Sequence, residues 1–368
     1  MTTTLNLRFS GGRQYDVVIG HGVINNISQL ARHAGLGHEC VIISDSNVAK
    51  LYSKQVKSRL QSARFDVLLL TFPSGERNKS RAVKQHLEDQ MLRQRISRQA
   101  FVAAFGGGVT GDLAGFIAAT YLRGIPYIQL PTSLLAMVDS SVGGKVGVDT
   151  PYGKNLVGAF WQPRLVVADI DFLKTLPEHE LLNGFAEIIK HATIADEQFF
   201  RFLEKGMEKL RHMEPKTVES VLATNIEIKK NIVQEDERER SSRRSLLNFG
   251  HTIGHAVEQL SQYKMSHGQS VAFGMRVESL IAVQMGLLEK EDEQRLSALL
   301  DSAGFPASLK NSFSPDSVAK MMLSDKKNVD GHIRMALPAG IGRMAKKNGS
   351  HTISVSPSQI EAALKAFK

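Results

Sequence analysis

Five short apolar runs separated by helical stretches constrain the first half of this chain more than any other feature. They are Glu39–Asp45, Asp66–Phe72, Ala100–Phe105, Tyr127–Pro131 and Leu165–Ile170. Each is Leu-rich or β-branched and nearly continuous in hydrophobicity, without polar alternation. Such runs predict strands buried on both faces, hence a mostly parallel sheet covered by helices. The opening segments LNLRF and YDVVIG, separated by SGGRQ, predict a β-hairpin. The first half therefore reads as an α/β domain.

Beyond residue 173 the strand signal nearly vanishes. Helical patterns cover Leu181–Ile194, Phe199–Arg211, Pro215–Glu235, His251–Leu260, Gln269–Met285 and Glu291–Ala303, and only Ile333–Leu337 predicts a short strand. With 368 residues, two domains are expected: an α/β domain over 1–173 and a mainly α-helical one over 174–368. No internal repeat or low-complexity linker separates them. The short junction near Leu173–Pro177 predicts packed domains with a ligand site at their border.

Composition excludes several classes. The single cysteine, Cys40, rules out an intrachain disulfide framework and a cysteine-based zinc cluster. No apolar run reaches the roughly 18 residues of a membrane span. The opening MTTTLNLRFSGGRQY lacks the apolar core of a secretory signal. These features together predict a cytoplasmic protein. The net charge of +9 invites a nucleic-acid reading. However, the charge is spread along the chain and no zinc-finger or RNA-binding signature accompanies it. An enzyme whose site gathers Lys and Arg around an anionic substrate accounts for it equally well.

Phe105 is followed by Gly106-Gly107-Gly108-Val109-Thr110-Gly111-Asp112 and then the helical LAGFIAATY. Gly106, Gly108 and Gly111 satisfy G-x-G-x-x-G between a strand and a helix, where bare backbone can approach a pyrophosphate at a helix N-terminus. The usual acidic residue at the end of the next strand is missing, because that strand closes on Pro131-Thr132-Ser133. Asp45, ending an earlier strand, or Glu76, in Ser74-Gly75-Glu76-Arg77-Asn78-Lys79, could take a ribose hydroxyl instead. The competing reading is a tight turn without ligand.

Residues 131–161 crowd Gly143, Gly144, Gly147, Gly153 and Gly158 around Asp139, Lys145, Lys154 and Asn155. Exposed backbone beside lysines suits phosphate or carboxylate. A surface hairpin with solvated lysines is the alternative. Further on, His251 and His255 are spaced i, i+4 on one helix face, and His267 follows. With no thiolate available, a metal site here needs histidines plus a carboxylate, a set suited to Zn²⁺ or another divalent transition ion with open positions. Glu187, in GFAEIIK, is the candidate carboxylate, with Lys190 on the same helical face. The spacing lacks the Glu of HExxH, which disfavours a zincin protease. His255 taken alone reads equally well as a ligand, a neighbouring support or a core histidine. Arg123, Lys190, Lys229, Arg244, Lys326 and Lys327 add cations, and Asn248 lies three residues before His251.

Taken in order, GGGVTGDLAGF, PTSLLAMVDSSVGGK, GKNLVGAF, GFAEIIKH, LLNFGHTIGHAVE, the HG at His267 and the DKK at Asp325–Lys327 resemble the 3-dehydroquinate synthase family of sugar phosphate cyclases, from about residue 5 to 343. The resemblance implies an N-terminal Rossmann-like domain and a helical C-terminal domain, often in a homodimer. It implies conversion of 3-deoxy-D-arabino-heptulosonate 7-phosphate to 3-dehydroquinate and phosphate. The steps are transient oxidation by bound NAD⁺, phosphate elimination, reduction, ring opening and aldol closure, with one divalent metal, zinc or cobalt. It makes Glu187, His251 and His267 the metal ligands. It assigns to NAD the stretch Ser74, Gly75, Glu76, Arg77, Asn78, Lys79 and the loop Gly108, Val109, Thr110, Gly111, Asp112. It adds Asp45, Thr132, Ser133, Asp139, Lys145, Lys154, Phe172, Leu173, Lys174 and Thr175. Substrate contacts fall to Arg123, Asp139, Lys145, Asn155, Lys190, Lys229, Arg244, Asn248, His255 and Lys327, with His255 the general acid/base.

Three positions depart from the family pattern. Val146 stands where Thr is common, Gln269 follows His267-Gly268 where Glu is frequent, and ERSSRR is one residue longer than usual, leaving Arg243 and Arg244 as alternatives. The basic charge is also unusual for the family. Rival readings are a sibling cyclase of the 2-deoxy-scyllo-inosose or 2-epi-5-epi-valiolone synthase type, a metal-dependent polyol dehydrogenase, and a basic nucleic-acid binder.

Overall fold

The structure, a computed structural model, describes residues 2–307, 313–323 and 333–367. It divides into two compact units, Met1–Pro177 and Glu178–Lys368.

The first unit is built on a seven-stranded sheet in the order β1-β2-β9-β6-β5-β3-β4. β1 (Thr2–Arg8) and β2 (Gln14–Gly20) form the expected hairpin, with Thr2 opposite Gly20. β3 (Glu39–Asp45), β4 (Asp66–Phe72), β5 (Phe101–Gly106), β6 (Tyr127–Pro131) and β9 (Leu165–Asp169) pair in parallel, and β2 joins them through β9. All six residues of β5 and all five of β6 and of β9 are buried, as continuous apolar runs require. Connecting helices are α1 (Ile27–His33), α2 (Ser46–Val48), α3 (Lys54–Ser62), α4 (Arg81–Arg93) and α5 (Gly108–Thr120). From β3 the chain moves outward to β4, then returns to the other side of β3 as β5 and continues to β6. The direction of winding therefore reverses between the carboxyl ends of β3 and β5, the place where open α/β sheets bind ligands.

The glycine-rich segment folds as a separate hairpin of β7 (Lys145–Thr150) and β8 (Gly153–Phe160). Its Val146 and Val148 join the core under α4 and α5. A Cβ on Gly115 of α5 would meet Val146 Cγ1 at 2.4 Å, so hairpin and helix are in direct contact. Val146 thus fills an apolar site 5% exposed, which accounts for valine there.

The second unit is mainly helical. It comprises α6 (Glu178–Ala195), α7 (Glu197–Arg211), α8 (Pro215–Glu235), α9 (His251–Leu260), α10 (His267–Gln284), α11 (Lys290–Ala303), α12 (Pro315–Leu323) and α13 (Pro357–Lys365). α6 and α10 bury residues all round their middle turns, the mark of central helices. β10 (Ile333–Met335) is shorter than the expected 333–337 run and pairs with β13 (Ile353–Val355); β11 (Pro338–Gly340) and β12 (Arg343–Met344) form a second small pair. No helix among the described residues is long and apolar enough to cross a membrane.

Candidate functional site

In the first unit, the winding reversal brings the end of β3 against the glycine loop. Asp45 Oδ1 accepts the N–H groups of Asn47 and Val48 at 3.0 and 3.1 Å, capping α2, while Oδ2 accepts the Thr110 hydroxyl at 3.3 Å. Asp45 therefore ties the β3 turn to the loop. A Cβ on Gly106 would meet Thr110 Oγ1 at 2.4 Å, so no other residue fits there. Thr132 N donates to Gly106 O at 2.9 Å, and Thr132 and Ser133 are buried beside the loop. No side chain caps α5, which starts on Gly107 and Gly108. Its first N–H groups, including those of Val109 and Thr110, are left for an anion, and that fits a pyrophosphate.

Lys79 anchors a polar cluster below this loop. Only 4% exposed, its Nζ lies 2.6 Å from Asp112 Oδ2 and donates to Asn155 Oδ1 at 2.5 Å. Burial alone lowers an ammonium's pKa; the carboxylates of Asp112, Glu76 and Asp149 overrule it and hold Lys79 above its usual value. Lys154 reaches Glu76 at 3.5 Å, and Asp149 accepts the Asn155 N–H at 2.9 Å. Asn155 takes a positive φ of 56°, held by that bond. The segment Ser74–Lys79 turns at Gly75, with Asn78 Nδ2 donating to Ser74 O at 2.9 Å and Arg77 in the turn between them. NAD-assigned and substrate-assigned residues of this unit are thus gathered into one network. Asp149, at the hairpin's turn, is a member that no sequence motif marked.

Phe172 and Leu173 are core residues, Phe172 packing against Tyr52 and Phe105. Lys174 pairs with Asp171 at 2.7 Å on the surface, and Thr175 shares a 2.5 Å hydrogen bond with the Tyr52 hydroxyl. Lys145 is exposed, following Gly143 and Gly144, whose φ angles of 108° and 68° demand glycine. Asp139 lies half-buried in the turn Ala136–Ser140. Arg123 is exposed in a strained turn, where Leu122 and Arg123 both have positive φ (48° and 68°).

In the second unit, three helices converge on Glu187. It sits on α6 and is fully buried. His251 Nε2, opening α9, and His267 Nε2, opening α10, each lie 3.4 Å from Glu187 Oε1. Lys190 Nζ touches Glu187 Oε2, yet neither carboxylate oxygen receives a well-formed hydrogen bond. Burial raises the pKa of this carboxyl, but Lys190 first, then His251 and His267, hold it well below the usual range. Burial and then the Lys190 ammonium keep His251 below its usual value, leaving a neutral imidazole. His251 Nδ1 lies 3.1 Å from Phe249 O, which can only accept, so the proton is on Nδ1 and the Nε2 lone pair points toward Glu187. For His267, burial is overruled by Glu187 and Glu258, and the pKa is pushed up to about 9.

This donor set fits a divalent ion. Donor bonds of about 2.0–2.2 Å to a tetrahedral ion place neighbouring donors about 3.3–3.6 Å apart, which matches the two 3.4 Å spacings. Buried carboxylate oxygens without hydrogen bonds supply the missing reason for a cation there. The ligand-atom candidates Glu187, His251 and His267 all lie within 4.8 Å of one another. Three donors leave a position open, as catalytic zinc sites do.

Local chemistry sets this geometry. Asn183, one turn before Glu187, accepts the Gly268 N–H at 2.8 Å and tethers the start of α10 to α6. Ser266 and Gln269 form a reciprocal capping box that starts α10. A capping box takes Gln or Glu at this position, which accounts for Gln269. Glu258, 5% exposed, lies 3.7 Å from His267 Nδ1 and supports that ring from behind. It is seven residues past His251 on the same helix face, a spacing that could have revealed it. His255 is exposed, its ring edge-on to His251 at 5.2 Å.

Arg244 and Arg243 separate clearly. Arg244 is 3% exposed and donates from Nη1 to Glu237 O at 2.7 Å, whereas Arg243 pairs with Glu235 at the surface. Asp236 gathers the extra-long loop by accepting N–H groups from Arg240, Ser241 and Arg244. Lys229 is buried on α8, and Asn248 is half-buried in the turn before α9. Lys326 and Lys327 lie outside the described residues.

Comparison with known proteins gives the following. Family models described as 3-dehydroquinate synthase N-terminal and C-terminal match residues 69–183 and 184–328. A 3-dehydroquinate synthase of Thermodesulfovibrio yellowstonii is 42% identical over 335 residues, covering 91% of this chain and 93% of the relative. Among solved structures, 2-deoxy-scyllo-inosose synthase complexed with carbaglucose-6-phosphate, NAD⁺ and Co²⁺ superimposes with a TM-score of 0.91 at 28% identity, over 100% of both chains. A 2-epi-5-epi-valiolone synthase from Streptomyces hygroscopicus with NAD⁺ and Zn²⁺ bound gives 0.86 at 31% identity, over 96% of both.

Proposed function

The chain belongs to the 3-dehydroquinate synthase family, and from that membership we infer that it converts 3-deoxy-D-arabino-heptulosonate 7-phosphate to 3-dehydroquinate and phosphate. The observation that carries the reading is the buried Glu187 with two imidazole nitrogens at 3.4 Å, beside the ammonium of Lys190. A nucleic-acid binder has no use for the set at all.

When bound, a divalent ion, zinc or cobalt, supplies Lewis-acid polarisation of the substrate's hydroxyls, and NAD⁺ supplies reversible hydride acceptance. Glu187, His251 and His267 hold the ion. The N–H groups opening α5, Lys79, Asp112, Thr132 and Ser133 hold the dinucleotide, together with the turn Ser74–Asn78 and Lys154. The first unit is thereby the NAD-binding domain and the second the metal- and substrate-binding domain. Lys145, Arg123, Lys229 and Arg244 bind the substrate's phosphate and carboxylate, because two anionic groups need several fixed donors. Asn155 and Asn248 orient its hydroxyls. Asp139 and Lys190 fix the reacting end by hydrogen bonding, and Lys327 adds charge. His255 exchanges a proton at its ring nitrogen with the substrate's hydroxyl. The reading carries with it a homodimer and a cytoplasmic setting.

Presenting the purified protein with the seven-carbon ulosonate phosphate, glucose 6-phosphate and sedoheptulose 7-phosphate separately tests it. Phosphate release from the first alone is expected. Turnover of either other sugar alone overturns the reading in favour of a sibling cyclase.

A further inference from the structure

α9 begins without a side-chain cap of its own, because its first turn is preceded by Gly250 in the left-handed region (φ 78°). The missing acceptor comes from another helix. Glu278 on α10 is fully buried; its Oε2 accepts the Gly250 N–H at 2.6 Å and its Oε1 accepts the Ile253 N–H at 3.0 Å. Among the described residues no Lys, Arg or His pairs with it; burial pushes its pKa up to about 8 against the pull of the Ile253, Gly250 and Thr252 N–H groups, and both its oxygens accept from backbone donors at the positive end of α9.

The Gly250 N–H belongs to the same peptide group as the Phe249 carbonyl. That carbonyl accepts from His251 Nδ1 at 3.1 Å. Three groups are therefore linked in sequence by hydrogen bonds: the Glu278 carboxyl, the Phe249–Gly250 peptide, and the His251 imidazole whose Nε2 faces Glu187. A carboxyl group accepting from the N–H side polarises the peptide, most strongly once it is ionised, and makes its carbonyl a stronger acceptor. A stronger acceptor at Nδ1 fixes the ring and makes Nε2 a better donor. The two helices pack closely at this point. A Cβ on Gly274 would fall 1.9 Å from Gly250 O, and one on Gly254 would fall 2.9 Å from Ser270 O.

We propose that Glu278 is a positioning residue for the metal site, acting on His251 through the Phe249–Gly250 peptide while clamping α9 to α10. The proposal rests on the reading of Glu187, His251 and His267 as metal ligands. Its eleven-residue spacing from His267 puts Glu278 three turns along the same face of α10. Neither charge pattern nor motif in the sequence points to the pairing, because the acceptor lies 28 residues from its donor.

The test compares wild type, Glu278→Gln and Ser356→Ala. The serine variant removes the cap of α13 in the same unit, so it lowers stability without touching the relay. Zinc affinity is measured by chelator competition, and the Co²⁺-substituted proteins are compared by visible absorption. Glu278→Gln should bind zinc about tenfold or more weakly and shift the Co²⁺ band, with unchanged NAD⁺ affinity. Ser356→Ala should lower Tm and leave zinc affinity and spectrum as in wild type. Should Glu278→Gln fail to fold, Glu278→Asp, which keeps the carboxyl group but is one methylene too short to reach both donors, is read in the same way. Zinc affinity within twofold of wild type and an unshifted Co²⁺ band in the folded variant overturn the proposal alone. A wild type that binds neither ion overturns the metal-site reading and the proposal with it.

Discussion

Replacing Glu187 by alanine strands a buried cation, and the consequence can be worked out. Lys190 is 1% exposed and its ammonium touches Glu187 Oε2. Removing one partner of a buried ion pair costs about 3–5 kcal/mol, because the remaining charge keeps its desolvation penalty without its compensation. For a unit of this size, about 2–4 °C of Tm are lost per kcal/mol. Metal-stripped Glu187→Ala should therefore melt about 6–20 °C below metal-stripped wild type in scanning calorimetry. Adding Lys190→Met removes the stranded charge, and the double variant should recover most of that loss, since an apolar replacement of a buried pair is close to neutral. Zinc should raise the Tm of wild type by mass action and leave both variants unmoved. A metal-stripped Glu187→Ala protein that melts within 1 °C of wild type would refute the reasoning. So would a double variant that stays as unstable as the single one.

Three further outcomes are expected. In metal-free protein the His267 pKa stands at about 9, above the ordinary 6.5. Its ion pairs therefore stabilise fully below about 6.5 and fade as pH rises through 9. Metal must displace that proton, so zinc affinity should fall about tenfold per unit from pH 8 to pH 6; a flat titration with a pH-corrected chelator contradicts this. Lys145→Ala should raise KM for the phosphorylated substrate while leaving NAD⁺ affinity intact in equilibrium titration; an unchanged KM and kcat remove Lys145 from the substrate site. Gly274→Ala places a methyl 1.9 Å from a backbone oxygen that cannot give. It should cost about 3 kcal/mol of stability and loosen zinc binding, whereas wild-type melting would show the α9–α10 contact to be slack.

Much of the fold was legible because the central strands are buried on both faces and leave continuous apolar runs, as in Phe101–Gly106. The β7–β8 hairpin was legible only as one of two readings of residues 131–161, because Gly147, Gly153 and Gly158 interrupt its apolar positions. Gly147 and Gly158 reflect close backbone approach: a Cβ on Gly158 would lie 2.1 Å from Val146 O. Near the C-terminus β10 falls within the apolar run Ile333–Leu337 and was legible, whereas β11 and β13 are too short to show any period. Glu187 stood out as a carboxylate on an apolar helix. The supports behind it did not. Asn183 and Glu278 act on backbone groups of other helices, 85 and 28 residues away, and local pattern carries no trace of such pairs. Arg243 and Arg244 were indistinguishable by sequence, since only the wrap of the loop around Asp236 turns one inward.

The central claim, a cyclase that borrows and returns a hydride, meets its most direct test in one cuvette. Purified protein with NAD⁺ and Zn²⁺ or Co²⁺ is given 3-deoxy-D-arabino-heptulosonate 7-phosphate, and phosphate and absorbance at 340 nm are followed together. Stoichiometric phosphate without accumulating NADH is the predicted result. Net NADH, or no phosphate at all from metal-loaded protein, contradicts it.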